Sequence, residues 1–225
     1  MVRVKSALLG LLFTCLPASS AVAEPESEAP RVGPPDVIAD CAAQLDALGV
    51  KYRLTALELR QKRGDTYTCG AEQALVYQGG PEQIRYNSAP LVSCALGLGL
   101  ARFERILNEE ARKSFGQRVA RIEQGGTYNC RKMTRFRHIV SEHSYANAID
   151  IRAFVLADGR RITVLRDFGA LDREPTTEKA RFLRVLSRRL YDEGVFSVVL
   201  TPYWDALHKD HLHFDMARYR VDGTR

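Results

Sequence analysis

The five histidines of this chain, His138, His143, His208, His211 and His213, all lie beyond its midpoint, and four of them stand in two short stretches rich in carboxylates. The first stretch is Ser141-Glu142-His143-Ser144-Tyr145-Ala146-Asn147-Ala148-Ile149-Asp150, a His-x6-Asp spacing. On a strand, Asp150 points away from the face shared by Ile149 and Ile151. A carboxylate in that position needs a partner, because burying it alone is expensive. The partner can be a metal ion, Arg152, or a hydrogen bond at a sheet edge. The second stretch is His208-Lys209-Asp210-His211-Leu212-His213-Phe214-Asp215. Alternation puts His211, His213 and Asp215 on one face and Leu212, Phe214 and Met216 on the other.

Joined, the two stretches offer two imidazoles and one carboxylate, with room for water as a fourth ligand. That is the donor set of an open tetrahedral zinc site suited to hydrolysis. Magnesium and calcium choose oxygen-only sites. Such an ion lowers the pKa of its water to about 7 and polarises a carbonyl. A base is then required beside that water, and Asp210, three residues before His213, is the candidate. His208 or His211 can instead carry the proton or hold the oxyanion.

These side chains need a scaffold. Ala148 to Leu156 reads as a strand, Asp158-Gly159 as a tight turn and Arg161 to Leu165 as the returning strand. Phe196 to Leu200 and His211 to Met216 read as further strands. Helices are expected over Asp36 to Leu48, capped by Asp36 and ending near Gly49, and from about Thr177 to Asp192, capped by Thr176. The longest periodic segment starts near Leu91, where Val92, Leu96, Leu100, Phe103, Leu107 and Ala111 form one apolar stripe. Tyr52 to Leu59 can be a strand. Helices grouped with hairpins, rather than strict β-α-β alternation, predict an α+β fold with a mainly antiparallel sheet flanked by helices.

The N-terminus reads as an address. Arg3 and Lys5 precede an apolar run from Ala7 to Ala18, and Ala21-Val22-Ala23 supplies a small-x-small cleavage pattern. The run is too short to span a membrane. Residues 1–23 are therefore expected to be a cleaved export signal, residues 24–35 a Pro/Glu-rich linker, and residues 36–225 one domain, with 36–90 as a possible N-terminal lobe. Losing Arg3 and Lys5 takes the formal charge from +6 to +4. That suits an anionic polymer such as cell wall, while export gives no reason to expect nucleic acid. A composition of 45% hydrophobic and 27% charged residues excludes a chain disordered throughout. Beyond Cys15, four cysteines remain, and an even number in an oxidising compartment predicts two disulfides, with sequential pairing, Cys41–Cys69 and Cys94–Cys130, as the expectation.

The stretch from Ser141 to Asp150 resembles the Ser-x-His-x6-Asp signature of the D-Ala-D-Ala metallopeptidases. The C-terminal His-x-Asp-His-x-His resembles the second signature of that group, which includes penicillin-insensitive murein endopeptidases. More narrowly, Gly126-Thr127-Tyr128-Asn129-Cys130-Arg131, both histidine stretches and Asp158-Gly159-Arg160 make the chain similar to the bacterial extensin-like C-terminal domain proteins. The resemblance spans roughly Cys41 to Asp215. It implies a D-Ala-D-Ala peptidase/hedgehog-like fold, with one zinc ion per chain held by His143, Asp150 and His213. It also implies Asp210 as base, His211 lining the cleft, and Arg131 gripping substrate or oxyanion. Asn147 stands where many members have Gly, which a left-handed backbone would tolerate. The base is Asp rather than Glu. His208 resembles an extra histidine of the murein endopeptidases, which favours cross-linked wall as substrate.

The expected function is that of an exported, periplasmic zinc peptidase cutting D-amino-acid amide bonds in peptidoglycan peptides. The alternative is a zinc-stabilised but catalytically silent peptidoglycan-binding protein, since fold alone does not fix function. A metal-scavenging histidine cluster is a third reading, and it leaves His143 and Asp150 unexplained. Tyr128, Tyr203 and Trp204 can line a groove or pack in a core. Asp205 and Asp215 can orient imidazoles or sit on the surface.

Overall fold

The structure is a computed structural model, and it describes residues 33–61, 64 and 66–225. The expected export signal and most of the expected linker lie outside these residues. The first helix, α1 (Cys41–Ala47), is followed by a long antiparallel hairpin of β1 (Lys51–Gln61) and β2 (Thr68–Gly79). Short strands β3 (Arg85–Tyr86) and β4 (Leu91–Ser93) lead into the long helix α2 (Cys94–Phe115). Strands β5 (Val119–Gly126), β6 (Ala148–Leu156) and β7 (Arg161–Thr163) follow, then a single helical turn, α3 (Val164–Asp167), and α4 (Glu178–Asp192). The chain ends in β8 (Val198–Leu200), β9 (Leu212–Asp215) and β10 (Val221–Gly223).

Two sheets result. The smaller has the order β1-β2-β4, and the larger runs β10-β8-β9-β6-β5-β3 with β7 added beside β6. The fold is α+β, as expected. Most pairings are antiparallel, but β10 with β8 and β3 with β5 are parallel, so the large sheet is mixed. Residues from the 36–90 stretch, such as Leu45, Leu75 and Tyr77, share one contiguous core with Phe103, Phe154 and Phe214.

The apolar stripe of α2 packs on one face of the large sheet. Phe103 meets Phe154, Phe196 and Phe214 with ring centroids 6.4, 6.0 and 5.6 Å away. Because strand side chains alternate, burying Leu212 and Phe214 against α2 turns His213 and Asp215 to the opposite face. The register then aligns Gly126, Asp150, His213 and Leu200 across four neighbouring strands. Among the described residues, no helix is long and apolar enough to cross a membrane.

Several boundaries move for local reasons. Asp36 does not cap α1: Asp40 stands at the N-cap, and the Asp36 carboxylate pairs with Arg218. Val92 belongs to β4, and Ser93 caps α2 by accepting from the Leu96 amide at 3.1 Å. Thr177 rather than Thr176 caps α4, through the Ala180 amide at 3.1 Å.

The disulfides are Cys41–Cys94 and Cys69–Cys130, which overturns the expected sequential pairing. The hairpin explains the exchange. Lys51 pairs with Gly79 near α1, whereas Cys69 pairs with Arg60 at the far end, so β1 carries the chain away from Cys41. Cys41 and Cys94 instead open two helices that pack together. Cys69 meets the chain leaving β5.

Candidate metal centre

His143 sits in a 3-10 turn, Glu142–Tyr145, that closes just before β6. The turn ends on Ala146, which is left-handed at φ 52°, so the positive φ falls on Ala146 and not on Asn147. Asn147 has a different task. Its amide donates to Glu142 Oε2 at 2.7 Å and its carbonyl oxygen accepts from Ser93 Oγ at 2.7 Å. The buried Asn147 side chain thereby ties the histidine turn to the N-cap of α2.

The imidazole of His143 is buried, and its Nδ1 lies 3.1 Å from the carbonyl of Thr127. A carbonyl only accepts, so Nδ1 carries the hydrogen of that contact. The other ring nitrogen, Nε2, faces Asp150 Oδ1 at 3.2 Å. On the other side, His213 Nδ1 stands 3.0 Å from the same oxygen. Ligand atoms of His143, Asp150 and His213 all lie within 4.8 Å of one another. Behind them, Asp215, 2% exposed, places Oδ2 2.9 Å from His213 Nε2 and is itself held by the Ala217 amide.

The charges at this point act on one another. Burial drives the Asp150 carboxyl upward, but the hydrogen bonds from His143 and His213 prevail and hold it far below the usual carboxylate range. Burial pulls His213 down, and its bonds to Asp150 and Asp215 outweigh this, raising it to about 10. Glu142, beside the same group, is pushed up to about 8 by burial and by the nearby Asp215. A divalent ion fits the donor set: two nitrogens and an oxygen converge, and each imidazole is oriented from behind by a carbonyl or a carboxylate. Binding it would release the proton from His213, because ligation needs neutral imidazole.

Two further histidines face the group. His211 Nε2 lies 3.7 Å from Asp150 Oδ1, while its Nδ1 is 2.9 Å from Asp210 Oδ1. Asp210 is lowered chiefly by that bond to His211. His208 lies at the end of a 3-10 turn capped by Asp205, whose Oδ1 accepts from the amides of Leu207 and His208 and stands 2.7 Å from His208 Nδ1. Burial lowers the His208 pKa despite Asp205, and the Nδ1 contact with that carboxylate leaves Nε2 turned away from it. The His208 ring is 5.1 Å from that of His211 and 5.9 Å from that of His213.

Asp150, His213, His211 and His208 form part of the wall of a cleft of about 490 Å³, within the range of small-ligand sites, with His143 buried behind them. Arg131, Trp204 and Tyr219 line it, whereas Tyr203 packs against Phe168 and His138 lies exposed. Tyr128 is not among the lining residues. Two parts of the site were not singled out from sequence: the Thr127 carbonyl and Glu142. The first is a backbone group, and no side-chain type announces it. The second adjoins His143, and its buried position was the missing signal.

Compared with known proteins, residues 39–224 match the family described as Extensin-like protein C-terminus. The chain belongs to that family. No curated protein and no solved structure matches it.

Proposed function

We propose that this extensin-like protein is an exported zinc peptidase that hydrolyses D-amino-acid amide bonds in peptidoglycan peptides, related to the D-Ala-D-Ala metallopeptidases in fold and site. One observation carries the reading: the donor atoms of His143, Asp150 and His213 converge, Asp150 and His213 line a cleft, and two more histidines stand beside them, each backed by a carboxylate. A structural zinc site is closed by four protein ligands, whereas three protein donors next to a cleft leave a position for water or substrate. Residues 1–23 serve in this reading as an export signal, and the periplasm accounts for two disulfides.

Zinc held by His143, Asp150 and His213 would supply an acidified water and an electrophile for the scissile carbonyl. The chain's own residues do the rest. Asp210 is committed to His211 Nδ1, so the base of this proposal is His211 Nε2, with Asp210 positioning the ring and stabilising the imidazolium. Arg131 lines the cleft and would donate to the developing oxyanion. His208, held by Asp205, takes the proton from the charged His211 and passes it to the leaving amine.

The test is to incubate the zinc-loaded mature chain with cross-linked muropeptides and separate the products. Cleavage at a D-amino-acid amide, abolished by chelation and restored by zinc, supports the proposal. Binding to sacculi with no cleavage of any cross-link or terminal D-Ala would leave a silent wall-binding protein instead.

A further inference from the structure

Between β5 and the His143 turn, the chain makes a hairpin that rises beside the cleft. Its rungs are Ser141 N to Arg131 O at 3.1 Å and Met133 N to Ile139 O at 2.9 Å, with Lys132 bridged to Val140. The root is firmly held. Cys130 is bonded to Cys69, Lys132 lies over the Tyr67 ring at 5.3 Å, and Val140 packs with Tyr67, Cys69 and Tyr145 in a small separate core. Ser144 Oγ donates to Arg131 O at 2.7 Å and accepts from Arg131 N at 2.9 Å. The tip, residues 134–138, is exposed throughout.

The charge of this hairpin is one-sided. Arg131, Lys132, Arg135 and Arg137 fall within seven residues, and no acid occurs between Glu123 and Glu142. Met133, Phe136 and Ile139 line the cleft, as do Val198 and Leu200 of the sheet. Arg135 also lines it and faces Asp205 Oδ2 at 3.6 Å, with the guanidinium side chain 60% exposed. Asp205 is already satisfied through Oδ1 by two amides and His208. A single contact at that distance from an exposed guanidinium holds its partner weakly, whereas a carboxylate that meets the guanidinium fork within an apolar cleft is bound through charge-assisted hydrogen bonds.

We infer that Arg135 is a specificity-determining residue of the cleft: it exchanges Asp205 for a carboxylate of the bound peptide, so that an acidic peptide is preferred to the same peptide with its acids amidated. The inference rests on the peptidase reading for the nature of the ligand. Phe136 and Met133 cover the peptide chain, and the Cys69–Cys130 link keeps the hairpin at a fixed height above the sheet.

The experiment uses the zinc-loaded full mature chain and one cross-linked muropeptide, prepared both with free carboxylates and with those carboxylates converted to carboxamides. Wild type should favour the acid form about tenfold in KM, and in Kd by calorimetry, with the preference shrinking as salt is raised. Arg135→Ala should lose the preference, with the change falling on KM for the acid form, and Arg135→Lys should restore part of it. If wild type shows no preference, or Arg135→Ala keeps it, the inference is overturned. Should neither peptide be cleaved, the peptidase reading fails, and the calorimetric preference alone decides the role of Arg135.

Discussion

Glu104 offers the sharpest test of how the scaffold beneath the site is built. It lies on α2 with no exposure, and its Oε1 accepts the hydroxyls of Tyr77 and Tyr86, each at 3.1 Å. Its Oε2 has no hydrogen-bond partner, although the nearby amides of Gly80 and Glu82 favour the ionised form. Burial outweighs both tyrosines and both amides and pushes the carboxyl up to about 7 from 4.5. The folded chain therefore keeps a proton that the unfolded chain gives up. Stability from this residue is fully present below pH 4.5, is lost as pH rises towards 7, and is level above that. The difference corresponds to about 3 kcal/mol. Glu104→Gln retains an acceptor for the tyrosines and cannot ionise. Its new NH2 finds no acceptor where Oε2 stood, which offsets about 1 kcal/mol of the gain. The variant should match or fall slightly below wild type at pH 4.5 and exceed it by about 2 kcal/mol at pH 8. For a domain of this size that is about 4–8 °C in Tm. Urea or thermal unfolding across this pH range, with disulfides intact, measures it, and groups such as Glu142 cancel in the difference between the two proteins. Parallel pH profiles for wild type and variant would refute the reasoning.

Three other outcomes follow from the geometry. A peptide map without reduction should recover Cys41 joined to Cys94 and Cys69 joined to Cys130. Removing either link should cost about 4 kcal/mol from loop closure, and recovery of Cys41–Cys69 would contradict the fold of the hairpin. His211→Gln should lower kcat by about 10²–10⁴ with zinc content unchanged, and Asp210→Asn should fall in the same direction by less. A fully active His211→Gln beside an inert Asp210→Asn would return the base to Asp210. Asp215→Asn should weaken zinc by about 10–100-fold in a competition with a chromophoric chelator, because the carboxylate behind His213 is lost. Unchanged affinity would show that Asp215 does not support a ligand.

Much of the site was legible because its residues are local in sequence and obey period two. Ile149 and Ile151 bury one face of β6, which turns Asp150 to the other; Leu212 and Phe214 do the same for His213. Two strands that must each bury one face can pair only in registers that keep Asp150 and His213 on the same side. The paired register sets them directly opposite. The helices were legible from the α2 stripe, yet their first residues were not. Asp36, Thr176 and Asn147 each have the chemistry of the role expected of them, and each lost it to a neighbour whose backbone was better placed.

What stayed hidden depends on contacts between elements far apart in the chain. Nothing near Cys69 says that the 11-residue strand before it will carry the chain to the Cys130 end of the molecule, because the path of a hairpin is set by pairing and not by its own composition. The cations from Arg131 to Arg137 gain significance only once that disulfide fixes their hairpin over the cleft. The same holds for Asp210. Its spacing to His213 marks it as a base, but a carboxylate that spends an oxygen on the adjacent imidazole is better used to aim that imidazole. The ring reaches Asp150, the shared oxygen of the centre, through Nε2 at 3.7 Å. The Asp205–His208 pair repeats the arrangement beside it, with its own carboxylate on Nδ1 and its ring 5.1 Å from that of His211. In the proposed peptidase, two aspartate-backed imidazoles beside one candidate cation site would divide the work between an acceptor and a proton carrier, a division that a pure binding site would not need.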